Sequence, residues 1–238
     1  MSEALGGLAL YVNGPRGPAL GGAWAFEEGC ELGLHPLDGG EGGWLFGPSP
    51  EAPVAGLSPS GVVVVGLRLF PALEPVPGAV PGCEALRALL ALPDLASMRA
   101  SIETTALTDG RCWMLSDGEA FLGFEQLGAE RILTRVGAKT SHVHANFCFD
   151  PSLRQREREP RPPTSYRRLE LASTLYVQRQ PDTVGGVAEF FDAVEVASFP
   201  SGEGRAGALF AVEIHSRRIL WRSRADRPVS ILRASPQP

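Results

Sequence analysis

The segment "SHVHANFCFDP" (Ser141 to Pro151) gathers two imidazoles, a carboxamide and a thiol on what reads as a buried strand and the loop leaving it. Three chemistries are conceivable there. His142 and His144 stand two apart, so on a strand they share a face, and with Cys148 they supply three of the ligands that a zinc ion needs. No further Cys, His or carboxylate stands at a recognisable spacing, so no metal is expected and a hydrogen-bonded core histidine is the weightier reading. Cys148 and His144 form the only local pair of thiol and imidazole. Flanked by Phe147 and Phe149, the cysteine suits a small core hydrophobe better than an activated thiolate. Asn146 is either an amide on a rigid strand end that donates to a developing oxyanion or a residue that turns the backbone, the second being at least as weighty.

Other reaction signatures are missing. Without a GxSxG, a nucleophilic serine on a strand-to-helix elbow has no support. "GLSPSG" (Gly56 to Gly61) lacks the lysine and the following helix of a phosphate loop and reads as a turn feeding a strand. No cofactor is expected.

The elements that must hold these residues alternate in period. Short strands divided by Gly and Pro come first: "GLALYV" (Gly7 to Val12), "LGGAWAF" (Leu20 to Phe26), "GGWLFG" (Gly42 to Gly47) and "GVVVVGLRL" (Gly61 to Leu69). The β-branched run of the last predicts a central strand covered on both faces. Helical spacing follows in Cys83 to Leu92 and Asp94 to Thr105, with Asp94 as a cap. Strands at Arg111 to Asp117, Glu119 to Gln126 and Glu130 to Val136, joined by tight turns, predict an antiparallel meander. Beyond the histidines, "SLRQREREPRPP" reads as an exposed loop. Helices at Ser165 to Val177 and Gly185 to Val196 and strands at Gly207 to His215 and Arg217 to Ser223 close the chain. Helices layered on mostly antiparallel sheets make this an α+β fold.

The 238 residues are 44 % hydrophobic, enough for a proper core, and one domain over residues 1–238 is expected. A net charge of −5 gives no general pull toward nucleic acid or an anionic membrane, so neither is an expected partner. No apolar run reaches the roughly 18 residues of a membrane span, and "MSEALGGLALYV" has no charged segment ahead of a long apolar one. Four scattered cysteines without a CxxC pair read as reduced thiols, and the expected location is cytoplasmic. Lys139 is the only lysine among 22 basic residues, a skew that fits a GC-rich bacterial source.

Taken in order, "GGAWAF" (Gly21 to Phe26), "GLSPSG", "SDGEAFLGFE" (Ser116 to Glu125), "HANF" (His144 to Phe147), "SYRR" (Ser165 to Arg168) and "GALFAVEIHSRRILW" (Gly207 to Trp221) carry a resemblance over nearly the whole chain. They resemble the β chain of the acyl-coenzyme A:6-aminopenicillanic acid acyltransferase family, self-processing enzymes of the N-terminal nucleophile hydrolase fold. The match is of pattern and order rather than of one strong motif. The resemblance implies a four-layer αββα sandwich and chemistry on amides or thioesters, in which a cysteine freed at a chain N-terminus attacks while its α-amino group relays the proton. It also implies His144 and Asn146 as the retained polar constellation, Arg205 as a stand-in for a late active-site arginine, and Trp24, Asn146 and Phe147 as ligand contacts.

Three departures stand beside these matches. The family's nucleophile falls near Gly6 or Gly7 in "LGGLALYV", where there is no Cys; the Asp that follows the family's Trp is Ala25; and the second His of "H.NH" is Phe147. Losing the nucleophile of a covalent mechanism costs several orders of magnitude in rate. The expectation is a non-catalytic or repurposed relative that binds an acyl or amide ligand, or that pairs with another protein or with itself. The alternative is an active amide hydrolase or acyltransferase using Cys148, another nucleophile, or one supplied by a separate chain.

Overall fold

A computed structural model describes residues 6–26, 30–37, 42–72, 76–137, 139, 141–158, 163–198, 206–223 and 227–235. The first half holds β1 (Gly6–Gly14), β2 (Gly17–Phe26), β3 (Gly33–Pro36), β4 (Trp44–Gly47), β5 (Ala55–Leu57), β6 (Val63–Leu69), α1 (Gly82–Leu90) and α2 (Leu95–Thr104). The meander β7 (Gly110–Ser116), β8 (Phe121–Leu127) and β9 (Glu130–Val136) follows, then β10 (His142–Ala145), α3 (Pro151–Arg154), α4 (Pro163–Arg179) and α5 (Val184–Ser198). The last strands are β11 (Ala206–Glu213), β12 (Arg218–Arg222) and β13 (Ser230–Arg233).

The strands form two antiparallel sheets, one ordered β10-β1-β2-β11-β12-β13 and the other β3-β4-β5-β6-β7-β8-β9. Because successive side chains on a strand point to opposite faces, each sheet has two apolar surfaces to cover. Ala9, Tyr11, Trp24 and Phe210 of the first sheet pack against Val63, Val65, Leu67, Met114 and Phe121 of the second, and this is the central core. The alternate residues of the first sheet, Leu8, Leu10 and Leu209, lie under α4 and α5 with Val187, Phe190 and Phe191. Those of the second, Val64, Trp113, Leu122 and Phe124, lie under α1 and α2 with Leu86, Met98 and Ile102. The result is four layers, helices outside and sheets inside.

β6 is the central, doubly covered strand that its valine run predicts, and α1 and α2 form the expected pair on a sheet face, with the Asp94 side chain accepting from the Ser97 amide at 2.7 Å. β3, β5 and β13 are too short for period to reveal. The segment after Pro151 differs from the expected loop: α3 forms there, capped by Asp150 accepting from the Ser152 amide with Pro151 in its first turn, and it buries Leu153. Among the described residues no helix is long and apolar enough to cross a membrane.

Candidate active site

The two glycines at the start of β1 are the place to begin. Gly7 pairs with Trp24 and Gly6 with Ala25 on β2, and a side chain at either position would have to displace a neighbour. A β-carbon on Gly6 would lie 2.6 Å from Nη2 and 2.7 Å from Nη1 of Arg168, which descends from α4 and is only 5 % exposed. A β-carbon on Gly7, facing the other way, would meet Leu67 at 2.9 Å and the Trp24 ring at 3.1 Å. Both distances are inside van der Waals contact, so backbone, guanidinium and indole approach one another here only because the side chains are absent.

Asn146, just past β10, joins these parts. Its Oδ1 accepts from the Gly7 amide in a short hydrogen bond and from Arg168 Nη2 at 3.3 Å, while its Nδ2 donates to the Arg68 carbonyl at 2.8 Å. The partners fix the amide's orientation, because two donors face the oxygen and a carbonyl faces the nitrogen. Arg168 Nη2 also donates to the Ser165 hydroxyl at 3.2 Å, one turn earlier on α4. Trp24 donates its indole N–H to the Gly66 carbonyl at 3.3 Å. Between Gly6, Trp24, Arg168, Phe191 and Val194 remains a mostly apolar pocket of about 30 Å³, space for roughly two waters.

A second buried cluster lies beside the first, between the sheets. Pairing across β1 and β10 sets His144 opposite Ala9 and His142 opposite Tyr11, so both imidazoles take the inward face, as their spacing of two requires. His144 Nε2 lies 2.7 Å from Glu125 Oε1 and its Nδ1 lies 2.6 Å from the Ala145 carbonyl. Both ring nitrogens therefore have a hydrogen-bond partner. Glu125 also accepts the amides of Phe149 at 2.6 Å and Asp150 at 3.0 Å. Burial pushes its carboxyl upward, but the hydrogen bond and charge of His144 and the two amides outweigh this and hold it below the ordinary carboxylate range. Phe149 stacks on His144 with ring centroids 4.1 Å apart. His142 has no hydrogen bond to Nε2, and burial, then the charges of His144 and Arg135, lower it to about 4. Both nitrogens of His144 are therefore committed, which takes its ring out of the pair of thiol and imidazole with Cys148.

The sequence-predicted residues divide accordingly. Asn146 and Trp24 meet at the cavity end of β1, whereas His144 belongs to the cross-sheet ion pair. Phe147 is buried, stacked on Tyr166 at 4.3 Å, and part of the core beneath α4. Cys148 is fully buried in the central core, its amide donating to Glu157 at 3.0 Å. Arg205 lies outside the described residues. Arg168, Ser165 and Glu125 are the residues that sequence reasoning passed over, although "SYRR" and the last letter of "SDGEAFLGFE" contain them.

No family model and no curated protein matches the chain. Solved structures do. A point variant of the conjugated bile acid hydrolase from Clostridium perfringens aligns with a TM-score of 0.60 at 11 % identity, over 98 % of this chain and 92 % of that one. Penicillin V acylase from Agrobacterium tumefaciens gives 0.52 at 10 % identity, over 95 % and 86 %. The Caenorhabditis elegans ortholog of N-acylethanolamine-hydrolyzing acid amidase gives 0.58 at 9 %, over 94 % and 99 %. At such identities the likeness speaks for the fold: this chain is an αββα sandwich of the N-terminal nucleophile hydrolase type.

Proposed function

We propose that this chain is a non-catalytic, repurposed relative of amide- and thioester-processing acyltransferases, in which the former reaction centre has become a closed structural joint. One observation carries the reading: at both candidate nucleophile positions the volume of a side chain is taken, by Arg168 at Gly6 and by Leu67 and Trp24 at Gly7. An acyl-transfer centre needs a nucleophile, a base and space for the acyl group, with donors aimed at the oxyanion. Here the glycines supply no nucleophile, and the Gly7 nitrogen is a peptide amide donating to Asn146 rather than a basic amine. Asn146 turns its oxygen toward the glycines, the wrong polarity for an oxyanion donor. The structural neighbours, named as a hydrolase, an acylase and an amidase, support the descent of the scaffold from such chemistry.

With the cavity at Gly6 this small, the chain's own task falls to its surfaces, and binding to a partner protein or a second copy fits the reading better than an acyl or amide ligand held there. Cys148 as an alternative nucleophile has no support, since its thiol is enclosed in the central core. The test is turnover of simple amide and acyl-thioester substrates by the purified protein. None above the buffer rate is expected; turnover abolished by Asn146→Ala would overturn the proposal.

A further inference from the structure

A larger pocket lies on the opposite side of the molecule, between α1, α2 and the outer face of β7 and β8. It measures about 300 Å³, ten times the cavity at Gly6, and falls within the size range of small-molecule sites. Its walls are apolar: Leu89, Ile102, Leu107 and Trp113, each no more than 2 % exposed.

The buried polar groups in these walls are already satisfied. The Trp113 indole N–H donates to Gln126 Oε1 at 3.0 Å, and Gln126 Nε2 donates to the carbonyls of Thr105 at 2.7 Å and Gly128 at 3.1 Å. A ligand's polar group would find no partner in the depth of the cavity and would carry the full cost of desolvation there. Only its rim is polar, with Glu84, Ser101 and Thr105.

Charge selects among ligands at that rim. Glu84 is exposed in the first turn of α1 and is in no ion pair among the described residues. The nearby cations have partners of their own. Arg87, one turn on along α1, shares a second hollow with Glu84 and acts on Glu51; Arg111 pairs with Asp109 at 2.7 Å; Arg131 donates to the carbonyls of Ala129, Ile102 and Thr105. We propose that this cavity is a binding site for a small apolar amine, its hydrocarbon body against Trp113, Leu89 and Ile102 and its ammonium group at the rim beside Glu84.

Calorimetric titration of the full-length protein with 2-phenylethylamine, 2-phenylethanol and phenylacetate, probes alike in shape and different in charge, tests the proposal. Saturable one-to-one binding is expected in the order amine, alcohol, carboxylate. Glu84→Gln should weaken the amine by about threefold to fivefold, to the level of the alcohol, and leave the alcohol unchanged. Ser101→Trp, which fills the rim, should abolish binding of all three, and Ala88→Phe on the facing helix serves the same purpose if the first variant does not fold. Absence of saturable binding by any probe at millimolar concentration would overturn the proposal. So would a carboxylate bound as tightly as the amine, or amine binding that ignores both Glu84→Gln and the blocking substitution.

Discussion

Arg168 occupies the space that a side chain on Gly6 would need, with its guanidinium nitrogens 2.6 and 2.7 Å from where the β-carbon would sit. The two residues are thus coupled across the gap between α4 and β1. Installing the missing thiol by Gly6→Cys should give no hydrolytic activity and should destabilise the protein by about 1–3 kcal/mol, as overpacking does. The double variant with Arg168→Ala should recover part of that loss. Urea denaturation of the two single variants and the double variant measures the coupling, and simple additivity would show that the contact is immaterial.

The pair of His144 and Glu125 joins the two sheets in a place from which water is excluded. Removing one partner leaves the other buried and uncompensated, so Glu125→Ala or His144→Ala should cost about 3–5 kcal/mol. Equilibrium unfolding measures this, and a loss below about 1 kcal/mol would mean that the pair contributes little.

Acid should weaken the protein in two stages. His142 titrates near 4 in the folded chain against an ordinary 6.5, so the unfolded chain takes up its proton first, and stability falls as pH drops from about 6.5 to about 4. Glu125 is held below its ordinary 4.5, so its contribution is present above that value and is lost as pH falls through its lower folded value. His142→Phe, which keeps a ring against Phe121 and Phe149, should flatten the first stage alone. Unfolding free energies measured between pH 7 and 3 would show it.

Thiol accessibility separates the cysteines. Cys30 and Cys83 are partly exposed, whereas Cys112 and Cys148 are buried, and burial raises the Cys112 thiol well above its ordinary value. Iodoacetamide at neutral pH should therefore label Cys30 and Cys83 in the native protein and reach Cys112 and Cys148 only after unfolding. Preferential native labelling of Cys148 would revive a cysteine mechanism.

Much of this architecture was legible in the residues. The valine run of β6, the helical spacing and Asp94 cap of α1 and α2, and the tight turns of the meander each state a local preference that agrees with the final packing. α3 was hidden by its charged surroundings, although Asp150 followed by Pro151 is a start signal. At the site, Asn146 and Trp24 could be named because a motif points to them. Arg168 could not be singled out on residue type alone: what brings it to the site is the helix that carries it over Gly6. Glu125 and His144 meet across two sheets, and no spacing along one strand encodes that contact.

Acylation is the most direct test of a closed centre. When the purified protein is incubated with a millimolar acyl thioester and its intact mass is measured, the closed joint at Gly6 predicts an unchanged mass and no covalent acyl intermediate. A single acyl adduct, mapped to a residue lining the cavity between Gly6, Trp24 and Arg168 and lost on Asn146→Ala, would contradict it.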